Sequence, residues 1–269
     1  MPLGQPPFVA VRAQSVQPES ADCSLLPSHY ELNYSQFLFS SLSIALAFLL
    51  LVAFGARIVT RLDLWQWWVP LVLVAGVVAA DFASGLIHWA ADTWGRDDLP
   101  FIGRRLLFAF RIHHLNPDDF LRRRFVDTNG EVACLAAPVL LAFLSLPLET
   151  VWGSRVAIFG FGLCAIGMLT NQIHQWAHMA SPPRLVRLLQ DYGLILGRAQ
   201  HAAHHERPYD TRYCITTGWC NWPLEATGFF HLLESAVTGL TAARPRQDDQ
   251  RYEERYRAGT PPRRMERNG

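Results

Sequence analysis

The chain has 269 residues, of which 50% are hydrophobic and 17% charged, against about 25% charged in an ordinary soluble domain. That deficit excludes a disordered chain and a soluble disulfide scaffold, while a mean hydropathy of +0.09 is too low for a protein lying wholly in lipid. The net charge is +1 and all 24 basic residues are arginine; this gives no electrostatic reason to expect a nucleic-acid partner, and the missing lysine points to a GC-rich, bacterial genome.

Residues 1–36 mix Pro, Gln, Ser and scattered charges without periodicity, so a flexible tail is expected there, with no signal-peptide pattern. Four apolar stretches follow, at 37–56, 67–90, 132–151 and 156–176, each close to the roughly 20 residues a helix needs to cross a bilayer. The first holds no charge, and Trp65, Trp67 and Trp68 stand where an interfacial aromatic belt would lie. Only Arg57 and Arg61 separate the first two stretches and only Arg155 the last two, whereas seven arginines fall in 91–131 and thirteen in 179–269. The positive-inside rule then assigns both rich segments, and both termini, to the cytosol.

On that side, 99–110 and 184–196 interleave arginine and aspartate with leucines and aromatics at helical spacing, the pattern of interfacial helices. The expected organisation is therefore a tail (1–36), an all-α membrane-embedded unit of about four transmembrane helices (37–243) and a polar C-terminal tail (244–269). The membrane is expected to be a bacterial inner membrane, or the endoplasmic reticulum in a eukaryote. Five cysteines (Cys23, Cys134, Cys164, Cys214, Cys220) form no C-x-x-C, so neither a zinc ribbon nor a thiol redox motif is available and free thiols are expected.

Eight of the ten histidines fall in four clusters, all at the expected cytosolic side: His88 with Asp92, His113 with His114, His174 with His178, and His201 with His204 and His205. Residues three or four apart share a helix face, so His88 and Asp92 point together, as do Asn171, His174 and His178, and as do His201, His204 and His205. Adjacent His113 and His114 diverge by about 100° on a helix and can serve two ions. So many imidazoles removed from water need partners, and a metal supplies them. Without thiolates the choice narrows to iron, zinc or copper. Eight or nine ligands exceed the six of one octahedral ion, so two ions are expected. Isolated His29 and His231 read as structural residues.

Histidines at the ends of membrane helices around two irons are the arrangement of membrane desaturases and hydroxylases, and H-x-x-H-H at 201–205 resembles their best-known box. The surrounding words are more specific: ADFASGLIHWAADTWG (80–95), FRIHHLNP (110–117), FVDTNG (125–130), TNQIHQWAH (170–178) and HAAHHERPYDTRYCITTGWCNWPLE (201–225). From about Ala80 to Ala243 the chain closely resembles the plasmanylethanolamine desaturase family, the Kua and CarF type. That resemblance implies metal ligation and catalysis at His88, His113, His114, His174, His178, His201, His204 and His205, with acidic partners at Asp81 and Asp92. Gln200 stands where family members often carry a further histidine.

The resemblance also implies a reaction: two hydrogens leave the 1-O-alkyl chain of 1-O-alkyl-2-acyl-glycerophosphoethanolamine, an ether phospholipid, to give the vinyl ether of a plasmalogen. Dioxygen would be the co-substrate and two iron ions the cofactor, since zinc has no redox chemistry. No haem-binding or flavin-binding segment is visible, so an external electron donor such as cytochrome b5 or ferredoxin is expected. Asp81 and Asn171 lie a turn or two from histidines and are candidates to orient imidazoles. Arg104, Arg105, Arg122, Arg123 and Arg124 are candidates for a phosphate contact, or serve only as a topology signal. A diiron lipid hydroxylase shares the boxes. A histidine-rich metal transporter is the non-enzymatic alternative, although transporters place ligands at the bilayer midplane.

Overall fold

The computed structural model describes residues 32–64, 66–96, 98–99 and 107–257, and everything below concerns those residues. Twelve α-helices are found there: α1 (Tyr34–Val59), α2 (Val69–Trp94), α3 (Phe108–His113), α4 (Pro117–Leu121), α5 (Phe125–Leu144), α6 (Val151–Gly167), α7 (Thr170–His178), α8 (Arg184–Asp191), α9 (Arg198–His204), α10 (Asn221–Ala226), α11 (Phe229–Thr241) and α12 (Asp249–Arg257). The first starts at a capping box, in which the Gln36 amide N–H donates to Asn33 Oδ1 at 2.9 Å and the Asn33 N–H to Gln36 Oε1 at 3.1 Å.

Four segments are long and apolar enough to cross a membrane: α1, α2, α5, and α6 continued through a short break into α7. Their outer faces carry Leu42, Phe48, Leu49, Leu71, Ile87, Leu135 and Leu141 uncovered, a surface suited to lipid rather than water. The protein is an integral membrane protein. Inside the bundle α1 packs on α5 and α2 on α6. A side chain at Gly76 would overlap the Phe159 carbonyl and one at Gly162 the Leu73 carbonyl, so glycines let the α2 and α6 backbones touch.

Both boundaries of the third span differ most from the hydropathy reading, by seven residues each. The third span starts at Phe125, not 132, because polar Thr128 and Asn129 face inward and are buried. Hydropathy counts polarity and not direction, so it misses that turn. The span ends at Leu144, and residues expected to finish it form the turn before α6.

Alternation of the four spans brings the start of α1, the end of α2, the start of α5 and the end of α7 to one end, where the short helices form a cap. The cap extends into the region expected to be a polar tail. Helix α12 packs on α3, where the buried Arg111 guanidinium bonds Asp248 Oδ1 at 2.7 Å, pairs with Asp249 and lies 4.7 Å from the Tyr252 ring centre. Of the two expected interfacial helices, α8 forms with Leu185 and Leu188 exposed and Val186 buried, while much of 99–110 lies outside the described residues. So does residue 1–31 of the expected N-terminal tail.

Candidate metal centre

The last turns of α2 carry His88 and Asp92 on one face, as their spacing requires, with Nε2 and Oδ2 3.1 Å apart and exposures of 0% and 2%. The opposite ring nitrogen, His88 Nδ1, lies 3.1 Å from the Tyr213 carbonyl. A carbonyl only accepts, so Nδ1 carries the proton and Nε2 keeps its lone pair. His204 Nδ1 is fixed in the same way by the Thr211 carbonyl at 2.6 Å, and His113 Nδ1 by that of Phe110. Three imidazoles are thus held in the tautomer that presents a bare Nε2 inward.

What those nitrogens meet is more lone pairs. Asp92 Oδ2 lies 3.4 Å from both His114 Nε2 and His204 Nε2, beside the 3.1 Å contact to His88. Both Asp92 oxygens, His88 Nε2 and His113 Nε2 are buried without a hydrogen-bond donor among the described residues. An orphaned carboxylate costs several kcal/mol, about what burial of an unpaired ion costs, and a cation among these atoms removes that cost.

A second set shows the same conflict without a carboxylate. The Nε2 atoms of His174, His178 and His201 form a triangle with sides of 3.2, 2.8 and 2.9 Å, and His205 Nε2 lies 3.1 Å from that of His201. Each neutral Nε2 is either a donor or an acceptor, so three in mutual contact leave at least one pair with like roles. With metal to nitrogen distances of about 2.1 Å, two ligands at right angles stand about 3.0 Å apart. The observed separations fit such a set of ligands around one ion.

His113 belongs to both sets: His113, His174, His178, His201 and His205 in one, and His88, His113, His114 and His204 in the other, with ligand atoms within 4.8 Å of one another in each. The expected triplet on α9 is split, His201 and His205 going to the first set and His204 to the second. Burial, and then the neighbouring imidazoles, push the pKa of His113, His114 and His201 well below the ordinary histidine value. Burial lowers His204 and His205 as well. These rings are neutral at pH 7, the state in which imidazole is a ligand.

The support around the cluster differs from the sequence reading in two places. Asp81, expected to orient an imidazole, instead accepts four backbone N–H groups of the loop after α9: Thr216 (3.2 Å), Thr217 (2.7 Å) and Gly218 (2.9 Å) on Oδ1, and Cys220 (2.9 Å) on Oδ2. Ser84 Oγ accepts from the Ile215 N–H at 3.1 Å. Together they lay the loop along α2 and so set the Tyr213 carbonyl that fixes His88. Asn171, given the same expected role, donates to the Thr128 carbonyl on α5 at 2.9 Å; the α7 helix leans on α5 through it. His231 stands apart from the cluster with 57% of its side chain exposed, and His29 lies outside the described residues. Arg104 and Arg105 also lie outside them, while Arg124 is ion-paired with Asp127.

Several supporting residues escaped the sequence reading. Gln175 donates to the Phe120 carbonyl at 2.8 Å, and Gln172 links it to Asn129; two glutamines inside a histidine-bearing helix were the available signal. Glu234 and Arg246 form a bidentate pair at 2.8 and 2.9 Å, joined by Trp89 Nε1 and the Tyr213 hydroxyl. Nothing local marks these two, because their partnership spans separate elements.

Comparison with known proteins agrees with the geometry. Residues 77–248, which include every histidine of the cluster, match the lipid desaturase domain. The chain is 41% identical over 198 residues to plasmanylethanolamine desaturase 1 of Mus musculus, covering 70% of this chain and 73% of the relative. It is 42% identical over 183 residues to plasmanylethanolamine desaturase of Myxococcus xanthus, covering 68% and 65%. A chloroplastic fatty acid desaturase 4 of Arabidopsis thaliana is 35% identical over 177 residues, covering 64% and 52%. No solved structure matches. With a buried histidine cluster capable of holding metal at one end of a membrane bundle and this domain across most of its length, the chain belongs to the lipid desaturase family and is an oxidoreductase that acts on lipids.

Proposed function

We propose that this protein is a plasmanylethanolamine desaturase that converts the 1-O-alkyl chain of an ether phospholipid to a vinyl ether. The observation that carries the reading is the pair of ligand sets sharing His113, in a chain 41 to 42% identical to relatives bearing that name. His113, His174, His178, His201 and His205 would hold one iron, and His88, Asp92, His114 and His204, together with the shared His113, the other. When bound, the two irons supply from dioxygen the oxidising power that an unactivated C–H bond demands, which zinc lacks.

The residues do the rest. Carbonyls of Tyr213, Phe110 and Thr211 keep three ligand rings in the metal-binding tautomer, and burial keeps water from the oxidant. The cluster lies at the end of the spans, level with the lipid headgroup region, and the carbon next to the ether oxygen lies just below that region. The arginine distribution supports a cytosolic position for this face, and the membrane is a bacterial inner membrane or, in a eukaryote, the endoplasmic reticulum.

Removing two hydrogens from the alkyl chain yields two electrons and two protons, whereas reducing dioxygen to two waters takes four of each. The remaining two electrons come from an external protein donor of the cytochrome b5 or ferredoxin kind. A second reading, desaturation of an acyl chain, is favoured by the similarity to fatty acid desaturase 4.

Membranes holding the protein, donor and dioxygen are expected to convert 1-O-alkyl-2-acyl-glycerophosphoethanolamine to a product that releases a fatty aldehyde in acid. The 1-acyl lipid, with a carbonyl in place of the methylene, stays unchanged at that position. A purely hydroxylated product, or an acyl-chain alkene without aldehyde release, in a preparation with bound iron would overturn the proposal.

A further inference from the structure

One aromatic ring of the cap lies face to face on a ligand imidazole. The Tyr209 ring stacks on His114 with centroids 4.7 Å apart and planes 17° from parallel. The other aromatic rings on the ligands are inclined: Tyr213 at 80° to His88 and 61° to His204, Phe120 at 49° to His174, Phe110 at 53° to His88. Tyr213 and Phe120 are also buried, whereas Tyr209 is partly exposed.

Its placement is enforced. The Tyr209 backbone takes a positive φ of 62°, a conformation bulky residues avoid. It is held by the Tyr209 N–H donating to the Glu206 carbonyl at 2.9 Å and by the Tyr213 hydroxyl donating to the Tyr209 carbonyl at 3.1 Å. Beside it, Arg207 reaches Glu253 of α12 at 2.7 Å with 62% of its side chain exposed, and Glu206 is exposed as well.

The proposed reaction needs two electrons from a protein that cannot itself touch buried imidazoles. Electron tunnelling falls steeply with the gap to be crossed, and a π stack from the surface onto a ligand ring shortens that gap. We propose that Tyr209 is the port through which a one-electron carrier protein, docked over Glu206, Arg207 and Glu253, reduces the metal centre by way of His114. This rests on the diiron desaturase reading. In each event the carrier's reduced centre loses one electron and one ferric ion becomes ferrous; Tyr209 keeps its proton and its ring only bridges.

The test uses the full iron-loaded chain in lipid nanodiscs, with Tyr209→Leu to remove the ring and Tyr209→Phe to keep it. Three quantities are measured: iron per chain; the anaerobic rate at which reduced ferredoxin, or the reduced soluble domain of cytochrome b5 if ferredoxin is inert towards the wild type, is oxidised by the protein; and product formed in one turnover after exhaustive reduction by dithionite. Tyr209→Leu is expected to keep wild-type iron and single-turnover product while oxidising the carrier slower on the order of tenfold or more, and Tyr209→Phe to match the wild type, since orientation of the cofactor's surroundings is what the protein supplies. An unchanged rate in Tyr209→Leu overturns the port. So does loss of iron or of single-turnover product in that variant, which would make Tyr209 a positioning residue for His114, and so does a Tyr209→Phe as slow as the leucine variant. Absence of iron, or of product after dithionite reduction, in the wild type would instead overturn the diiron reading itself.

Discussion

The two candidate ligand sets share His113 but are built by different means. The set of His174, His178, His201 and His205 is made by helices: each of two i, i+4 pairs, His174 with His178 and His201 with His205, projects from one helical stretch, and the stretches abut so that Nε2 atoms come within 2.8 to 3.2 Å. The set of His88, His114 and His204 is made by a helix end and loops. It adds the carboxylate of Asp92, and two of its ring orientations come from the carbonyls of Tyr213 and Thr211. The difference teaches that the first set depends on helix packing alone, while the second depends on a loop that must be laid along α2 before it can work.

The sharpest way to break that distinction is to delete one ligand from each. His201→Ala and His204→Ala are each expected to abolish turnover and to lower bound iron from about two to about one per chain, with opposite ions lost. Metal analysis together with Mössbauer spectra of the residual iron reads this, and a His201→Ala protein that retains both irons would dissolve the first set. His113→Ala, touching both sets, is expected to lose more iron than either.

Asp92→Asn keeps the shape of the side chain and removes its charge. Iron affinity at the second set is expected to fall on the order of 10 to 100-fold, with the first set unchanged, as competition with a chelator would show. Equal weakening of both ions would mean that the sets are not separable.

Asp81→Asn probes the loop. Its carboxylate accepts four N–H groups, and an amide in its place turns a donor toward donors, at a cost of about 2 to 3 kcal/mol. The thermal midpoint should drop, and iron should be lost first from the set containing His88, through the Tyr213 carbonyl. Loss of stability with both irons retained equally would show that the loop does not act on His88.

Among the substitutions expected to have an effect, the smallest is expected from Arg111→Ala. It releases α12 from α3 but leaves Asp248 and Asp249 free to hydrate, so stability changes by about 1 kcal/mol, while limited proteolysis near the C-terminus becomes faster. His231→Ala, remote from both sets, is expected to change neither iron content nor turnover.

What was legible in the sequence follows from periodicity. Apolar runs of membrane length located all four spans, since lipid selects for uniform hydrophobicity along a helix, and the i, i+4 spacing of His88 with Asp92 and of His174 with His178 follows from the helical repeat. The motif words extended this to the family. Local pattern has no direction across the bundle, however, so the inward-facing polar turn at Thr128 and Asn129 was read as lying outside the third span.

The division of the imidazoles into two sets, and the residues that hold them, were decided only by tertiary structure. His201, His204 and His205 share one short stretch, yet His204 turns away from the other two because the Thr211 carbonyl holds its Nδ1. Asp81 stands two turns before His88 on the same face of α2, and only the path of the 213–220 loop makes it an anchor for backbone amides instead of a partner for a ring. Arg246 and the residues of α12 lie in a segment whose polarity reads as a solvated tail, whereas their partners Glu234 and Arg111 stand on α11 and α3. A charged residue carries no local sign of the partner that will neutralise it, because that partner is brought by the fold from a distant part of the chain and the spacing between them has no period to read.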